Sequence, residues 1–142
     1  MKSVRQLLSI KGSETHTIEP RKTVLEALRL LAEKNIGALL VVEGSRVVGV
    51  LSERDYARKV VLLGRLSKDV PVAEIMTREI VFVAPTDTVE TCMALMTTRH
   101  IRHLPVLEDG RLIGVISIGD VVKSIIDEQQ FRLEQLERYL MS

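Results

Sequence analysis

The chain of 142 residues contains no tryptophan, two tyrosines and two phenylalanines, so aromatics make up only 3%. Stacking platforms for single-stranded nucleic acid are built from such rings and are not expected here. Net charge is also scarce: 20 basic residues face 19 acidic ones, leaving +1. A nucleic-acid footprint needs a basic excess gathered on one face, and none is visible. The single cysteine, Cys92, cannot close an internal disulfide, which fits a reducing compartment. It lies inside an amphipathic helix pattern and reads as a small core residue rather than a nucleophile. No apolar run approaches the roughly 20 residues that cross a bilayer, and Met1 to Arg5 lacks the apolar stretch of a secretory signal. A soluble, cytoplasmic protein is expected. Catalytic signatures are missing as well. There is no glycine-rich phosphate loop, no zinc spacing, and no Ser/His/Asp or Cys/His set. His100 and His103 stand three apart, but no cysteine or acidic cluster completes a metal ligand set around them. Neither an enzyme nor a metal protein is expected.

What the chain does have is a large apolar share, 46%, at a length that supports a proper core. It also has a stretch that occurs twice. Gly49-Val50-Leu51-Ser52-Glu53-Arg54-Asp55 returns as Gly114-Val115-Ile116-Ser117-Ile118-Gly119-Asp120, sixty-five residues later. With that shift, residues 20–59 match residues 85–124 at 13 of 40 positions without a gap. Pro20 falls on Pro85, Thr23 on Thr88, Leu39 on Leu104 and Arg46 on Arg111. A shorter echo sets Val4 to Ser9 against Val72 to Thr77. Internal repetition of this strength governs the fold.

Each repeat reads as β-α-β-β-α. A short strand comes first, Thr15 to Ile18 or Ile80 to Val83, closed by proline. Thr23 or Thr88 then starts a helix; in the first repeat Val24, Ala27, Leu28, Leu31 and Ala32 stand at helical spacing. A continuous apolar strand follows, Ala38 to Val42 or His103 to Leu107, as expected of a strand covered on both faces. Gly44-Ser45 or Asp109-Gly110 makes a tight turn. Arg46 to Leu51, or Arg111 to Ile116, is the return strand, and it runs into a helix begun by serine. Leu66 to Pro71 connects the repeats. Past Ile126, Leu133, Leu136 and Leu140 give a helical tail one apolar face, fit either for its own domain or for a second copy.

A serine followed three residues later by an acidic residue is a helix-start signature, in which both side chains satisfy orphan backbone N–H groups. Ser52 with Asp55 and Ser117 with Asp120 are therefore caps in one reading. In the other they also face a ligand: free N–H groups and a fixed carboxylate suit a phosphate and a pair of ribose hydroxyls. Gly49 and Gly114 are open in the same way, serving close packing or leaving room for a base.

The doubled unit with its Gly-x-x-Ser-x-x-Asp motif resembles a tandem pair of cystathionine β-synthase-type (CBS) domains, a Bateman module, over nearly the whole chain. Arg102-His103-Leu104-Pro105-Val106 before the second hairpin strengthens the resemblance. It implies two pseudo-twofold-related repeats packed sheet to sheet, with residues 8–68 and 72–130 as the repeats and 131–142 as a helical tail. It implies a regulatory module without catalytic residues that takes AMP, ATP, NAD(H) or a similar adenosine nucleotide in clefts between the repeats. Dimers are implied too. By the same resemblance Asp55 and Asp120 hold ribose hydroxyls, with Ser52 and Ser117 beside the ribose or phosphate. Thr17-Ile18 and Val81-Phe82 line the adenine. Gly37-Ala38 and Arg102-His103-Leu104 precede or open the middle strand and reach phosphate. Arg54 and Arg58 in the first repeat, and Ile118 and Gly119 in the second, flank the helix starts. The two sets differ in charge, so unequal pockets are expected, one for a mononucleotide and one for a larger ligand. The competing expectation is an interaction scaffold with vestigial pockets.

Overall fold

The structure, a computed structural model, describes residues 2–141. The elements run α1 (Val4–Lys11), β1 (Thr17–Ile18), α2 (Val24–Lys34), β2 (Ala38–Glu43), β3 (Arg46–Ser52), α3 (Glu53–Tyr56), α4 (Val72–Ile75), α5 (Val89–Arg99), β4 (His103–Glu108), β5 (Arg111–Ser117) and α6 (Ile118–Met141). The protein is a mixed α/β fold with two small sheets, ordered β1-β2-β3 and β4-β5. It forms two compact units, one of residues 2–14, 82–108 and 113–141, the other of residues 15–81 and 109–112.

The unit of residues 15–81 is built on the first repeat. Thr23 caps α2 in a full capping box with Glu26, whose carboxyl lies below its ordinary value through the Thr23 backbone hydrogen bond. α2 ends on Asn35, which takes the left-handed conformation at φ 53°, one that asparagine tolerates better than most residues. β2 lies parallel to β1 and antiparallel to β3, with Ala38 opposite Ser52 and Glu43 opposite Arg46. The core gathers Val24, Ala27 and Leu31 of α2, Leu39 and Val41 of β2, and Leu51 of β3. Val60, Val70, Val72 and Ile75 close it from the far end of the repeat. α3 runs into a π-helical turn, Ala57–Val61.

The other unit holds the second repeat's elements. Asp109 and Gly110 both have positive φ, 53° and 77°, as a primed two-residue hairpin turn requires. Thr88 caps α5, and His100 ends it in the left-handed region. Buried here are Val4, Leu7 and Leu8 of α1, Val89, Cys92 and Met96 of α5, Leu104, Val106 and Ile116 of the hairpin, and Val121 of α6.

The short segments ahead of each repeat are exchanged. α1 precedes the first repeat in sequence yet docks on the start of the second: Val4 N–H donates to the Asp87 carbonyl at 2.7 Å, and Arg5 N–H to that of Pro85 at 2.9 Å. α4 precedes the second repeat and docks on the start of the first. Val72 N–H donates to the Lys22 carbonyl at 2.8 Å and Ala73 N–H to that of Pro20 at 2.9 Å. These are the same two hydrogen bonds in each unit, and they explain the echo between Val4 to Ser9 and Val72 to Thr77.

One local expectation is corrected. Ile80 to Val83 is not a strand; only Val83 pairs, in a single parallel bridge to Val106. In the first repeat Leu40 N–H donates to the His16 carbonyl at 3.4 Å. The equivalent position in the second repeat is Pro105, which has no N–H to give, so the ladder stops there. The helix of the second repeat and the expected helical tail are one element: α6 is continuous from Ile118 to Met141.

Candidate functional site

Both serine-aspartate helix starts are capping boxes in geometry. Ser52 Oγ accepts from Asp55 N–H at 3.1 Å, and Ser52 N–H donates back to Asp55 Oδ2 at 3.0 Å. Ser117 Oγ accepts from Asp120 N–H at 3.1 Å, and Ser117 N–H donates to Asp120 Oδ2 at 2.8 Å. Each box occupies one carboxylate oxygen and leaves the other to its surroundings. Neither aspartate stands in bulk solvent: their side chains are 13% and 22% exposed.

Hydrogen bonds draw the middle strands to these helix starts. Glu53 N–H donates to the Gly37 carbonyl at 3.1 Å, and Ala38 pairs with Ser52. Gly37, Ala38, Ser52 and Asp55 therefore converge. In the second repeat Ile118 N–H donates to the Arg102 carbonyl at 2.8 Å, bringing Arg102 and His103 alongside Ser117, Ile118 and Asp120. Thr17 and Ile18 lie one strand further out, paired with Leu40 and Val41. Arg54, Arg58 and Gly119 are exposed. Leu104 is fully buried in the core, backbone included. Val81 and Phe82 fall in different units, with Phe82 53% exposed.

Three neighbours of the aspartates were not among the expected site residues. Asp55 Oδ1 is 3.3 Å from Lys59 Nζ and accepts from Thr77 Oγ1 at 3.3 Å. Lys59 was legible as an i,i+4 partner; Thr77 belongs to the segment after α4 and carried no such signal. Asp120 is met instead by Lys11, whose Nζ lies 2.5 Å from Oδ2 and donates to the Val115 carbonyl at 2.7 Å. Burial pushes the Asp120 carboxyl up, but the bonds from Lys11 and Ser117 outweigh it and hold the carboxyl below its ordinary value. Burial pushes the His103 imidazole down; Lys11 and Arg102 add to this against Asp120, and the ring titrates below its ordinary value.

The paired glycines serve packing. A Cβ on Gly49 would sit 2.6 Å from Met76 Sδ and 3.1 Å from the Thr77 carbonyl oxygen, and one on Gly114 would sit 2.6 Å from a Leu8 methyl. In both units a strand glycine thus admits a side chain from the exchanged helical segment. A depression of about 350 Å³ lined by Glu19, Pro20, Arg21, Val42, Glu43 and Gly44 lies at the hairpin end of β2, opposite the end that meets Ser52. Among the described residues no cluster of three or more His, Cys, Asp or Glu is placed to hold a metal, and no helix is long and apolar enough to cross a membrane.

A repeated helix, hairpin and second helix, with a capped aspartate at the start of each second helix, defines a class of paired domain. The chain belongs to the CBS domain family, whose model matches residues 9–62 and 72–127. It is 42% identical over 123 residues to the mitochondrial CBS domain-containing protein CBSX3 of Arabidopsis thaliana; the match takes in 83% of this chain and 60% of that protein's length. A structure from Burkholderia ambifaria, a candidate signal-transduction protein with CBS domains, is 50% identical over 90% of this chain and 96% of its own, with a TM-score of 0.84. The CBS domain pair of protein MJ0100, in complex with 5′-methylthioadenosine and S-adenosyl-L-methionine, shares the fold at a TM-score of 0.78 and 22% identity, over 90% and 98% of the two chains.

Proposed function

We propose that the chain is a regulatory module that binds adenine nucleotides, of the AMP, ATP or NAD(H) type, and signals occupancy through a homodimer. The observation that carries this reading is the state of the two aspartates. Each is fixed by its capping box and sheltered from solvent, and each lies beside the backbone that leads into the middle strand. A carboxylate so held accepts both hydroxyls of a ribose without reorganising. The fold supports the ligand class, since a CBS pair of the same architecture holds two adenosine-derived molecules.

The two positions are unequal. At Asp55 a ribose competes with the Thr77 hydroxyl and a lysine 3.3 Å away. At Asp120 it competes with the Lys11 ammonium at 2.5 Å. Lys11 shares Asp120 Oδ2 with the capping box, whereas Lys59 and Thr77 sit on Asp55 Oδ1, the oxygen its box leaves. A second reading, an interaction scaffold, draws on the same ion pair: Lys11 makes Asp120 a structural group in its own right.

Titration calorimetry with AMP, ATP and NADH tests the proposal. Saturable heat that weakens in Asp55→Asn or in Asp120→Asn supports it. No heat from any of the three, with a melting point unmoved by millimolar ligand, overturns it in favour of the scaffold; a ligand at a hundred times its dissociation constant would add about 2.7 kcal/mol.

A further inference from the structure

The second half of α6 is left without cover. Residues 129–141 are exposed on every face, although a helix of that length is marginal in water unless an apolar face is packed. Its leucines follow a heptad. Taking Ile126, Leu133 and Leu140 as a positions puts Val122, Gln129 and Leu136 at d, with alternating steps of four and three. The five apolar members of this seam are between 43% and 72% exposed. A period of 3.5 belongs to helices that wind around each other, whereas a face packed on its own globule follows 3.6.

We propose that this seam pairs with the same seam of a second copy as a parallel two-stranded coiled coil. Two features select a second copy and the parallel sense. Gln129 is the one polar residue in the seam, and only parallel, in-register chains set it against its own counterpart, where two side-chain amides satisfy each other. An antiparallel pair would bury it against leucine. Arg132 occupies g and Glu137 the following e, the positions that face each other across a parallel pair, so each copy offers an ion pair to the other. Arg132 also bonds Glu128 of its own helix at 3.0 Å and keeps further guanidinium donors for this role. Phe131 at f, Tyr139 at g and Met141 at b fall outside the seam.

The inference rests on the dimeric part of the proposed function and names its surface. The test is sedimentation equilibrium of the full chain without added ligand, for the wild type and for Leu133→Lys/Leu136→Lys. Both leucines are exposed, and circular dichroism confirms that the variant keeps its fold. The expected result is a mass that falls by half in the variant. Gln129→Cys supplies the orientation: mild oxidation should convert it to a species of twice the chain mass, a link an antiparallel pair does not permit. A dimer whose mass ignores the double substitution, or no link at residue 129, overturns the seam and leaves the dimer standing. A monomeric wild type overturns both.

Discussion

Replacing Lys11 with methionine keeps most of the apolar stem and removes the ammonium that joins Asp120 Oδ2 to the Val115 carbonyl. The side chains of the pair are 28% and 22% exposed, between the solvated pairs that contribute under about 1 kcal/mol and the buried ones whose disruption costs about 3–5 kcal/mol. A loss of about 2 kcal/mol at neutral pH follows, or a melting point lower by about 8 °C for a chain of this size. The pH dependence identifies the cause. The folded carboxyl of Asp120 lies below its ordinary value, so it binds fewer protons than in the unfolded chain. Its contribution is complete above the unfolded carboxylate range, near pH 4, and is lost as pH falls through the folded value. Scanning calorimetry of the two proteins should therefore show a gap that is constant from about pH 7 to pH 5 and closes in stronger acid. Equal melting points at neutral pH, or a gap that persists undiminished once carboxylates are protonated, would refute the reasoning.

His103 titrates below its ordinary value, so the folded state resists its protonation; its stabilisation is complete above the unfolded value and is lost as pH falls through the folded one. His103→Asn should flatten the fall in stability below about pH 6.5, as read by chemical denaturation. The Cys92 thiol is pushed up to about 11 by burial, with Asp87 adding to it. A thiol reagent should leave it untouched in the native protein and label it fully in denaturant. Gly49→Ala should cost about 1–3 kcal/mol, because the Thr77 carbonyl beside the new methyl belongs to backbone that already bridges Val50 and cannot retreat. A variant as stable as the wild type in urea would contradict that.

The residues that announced the repeat also set its geometry. Ser52 with Asp55 and Ser117 with Asp120 were legible because a capping box is a local device, made within four residues. The hairpins were legible for the same reason, through Gly44 and Asp109-Gly110. Pro105 carried a readable warning: a proline in the middle strand cannot donate to a preceding strand, and that alone removes the ladder expected at Ile80 to Val83. Lys11 and Thr77 were not legible as site residues. They reach the aspartates through an exchange of leading segments between the units, set by contacts such as Val4 to Asp87 that span most of the chain. Hydrophobic spacing reports what a segment buries, not which repeat it buries it against.

The exchange has a consequence during synthesis. α1 leaves the ribosome ahead of both repeats, yet its carbonyl partners at Pro85 and Asp87 follow only about 80 residues later, on the order of ten seconds at ordinary translation rates. Until then Val4, Leu7 and Leu8 have no place to go, while α4 finds its site on an already finished repeat. The nascent chain is thus most open to chaperones and to sticking at its leading end, and a bulky fusion placed there would harm the half of the protein made last.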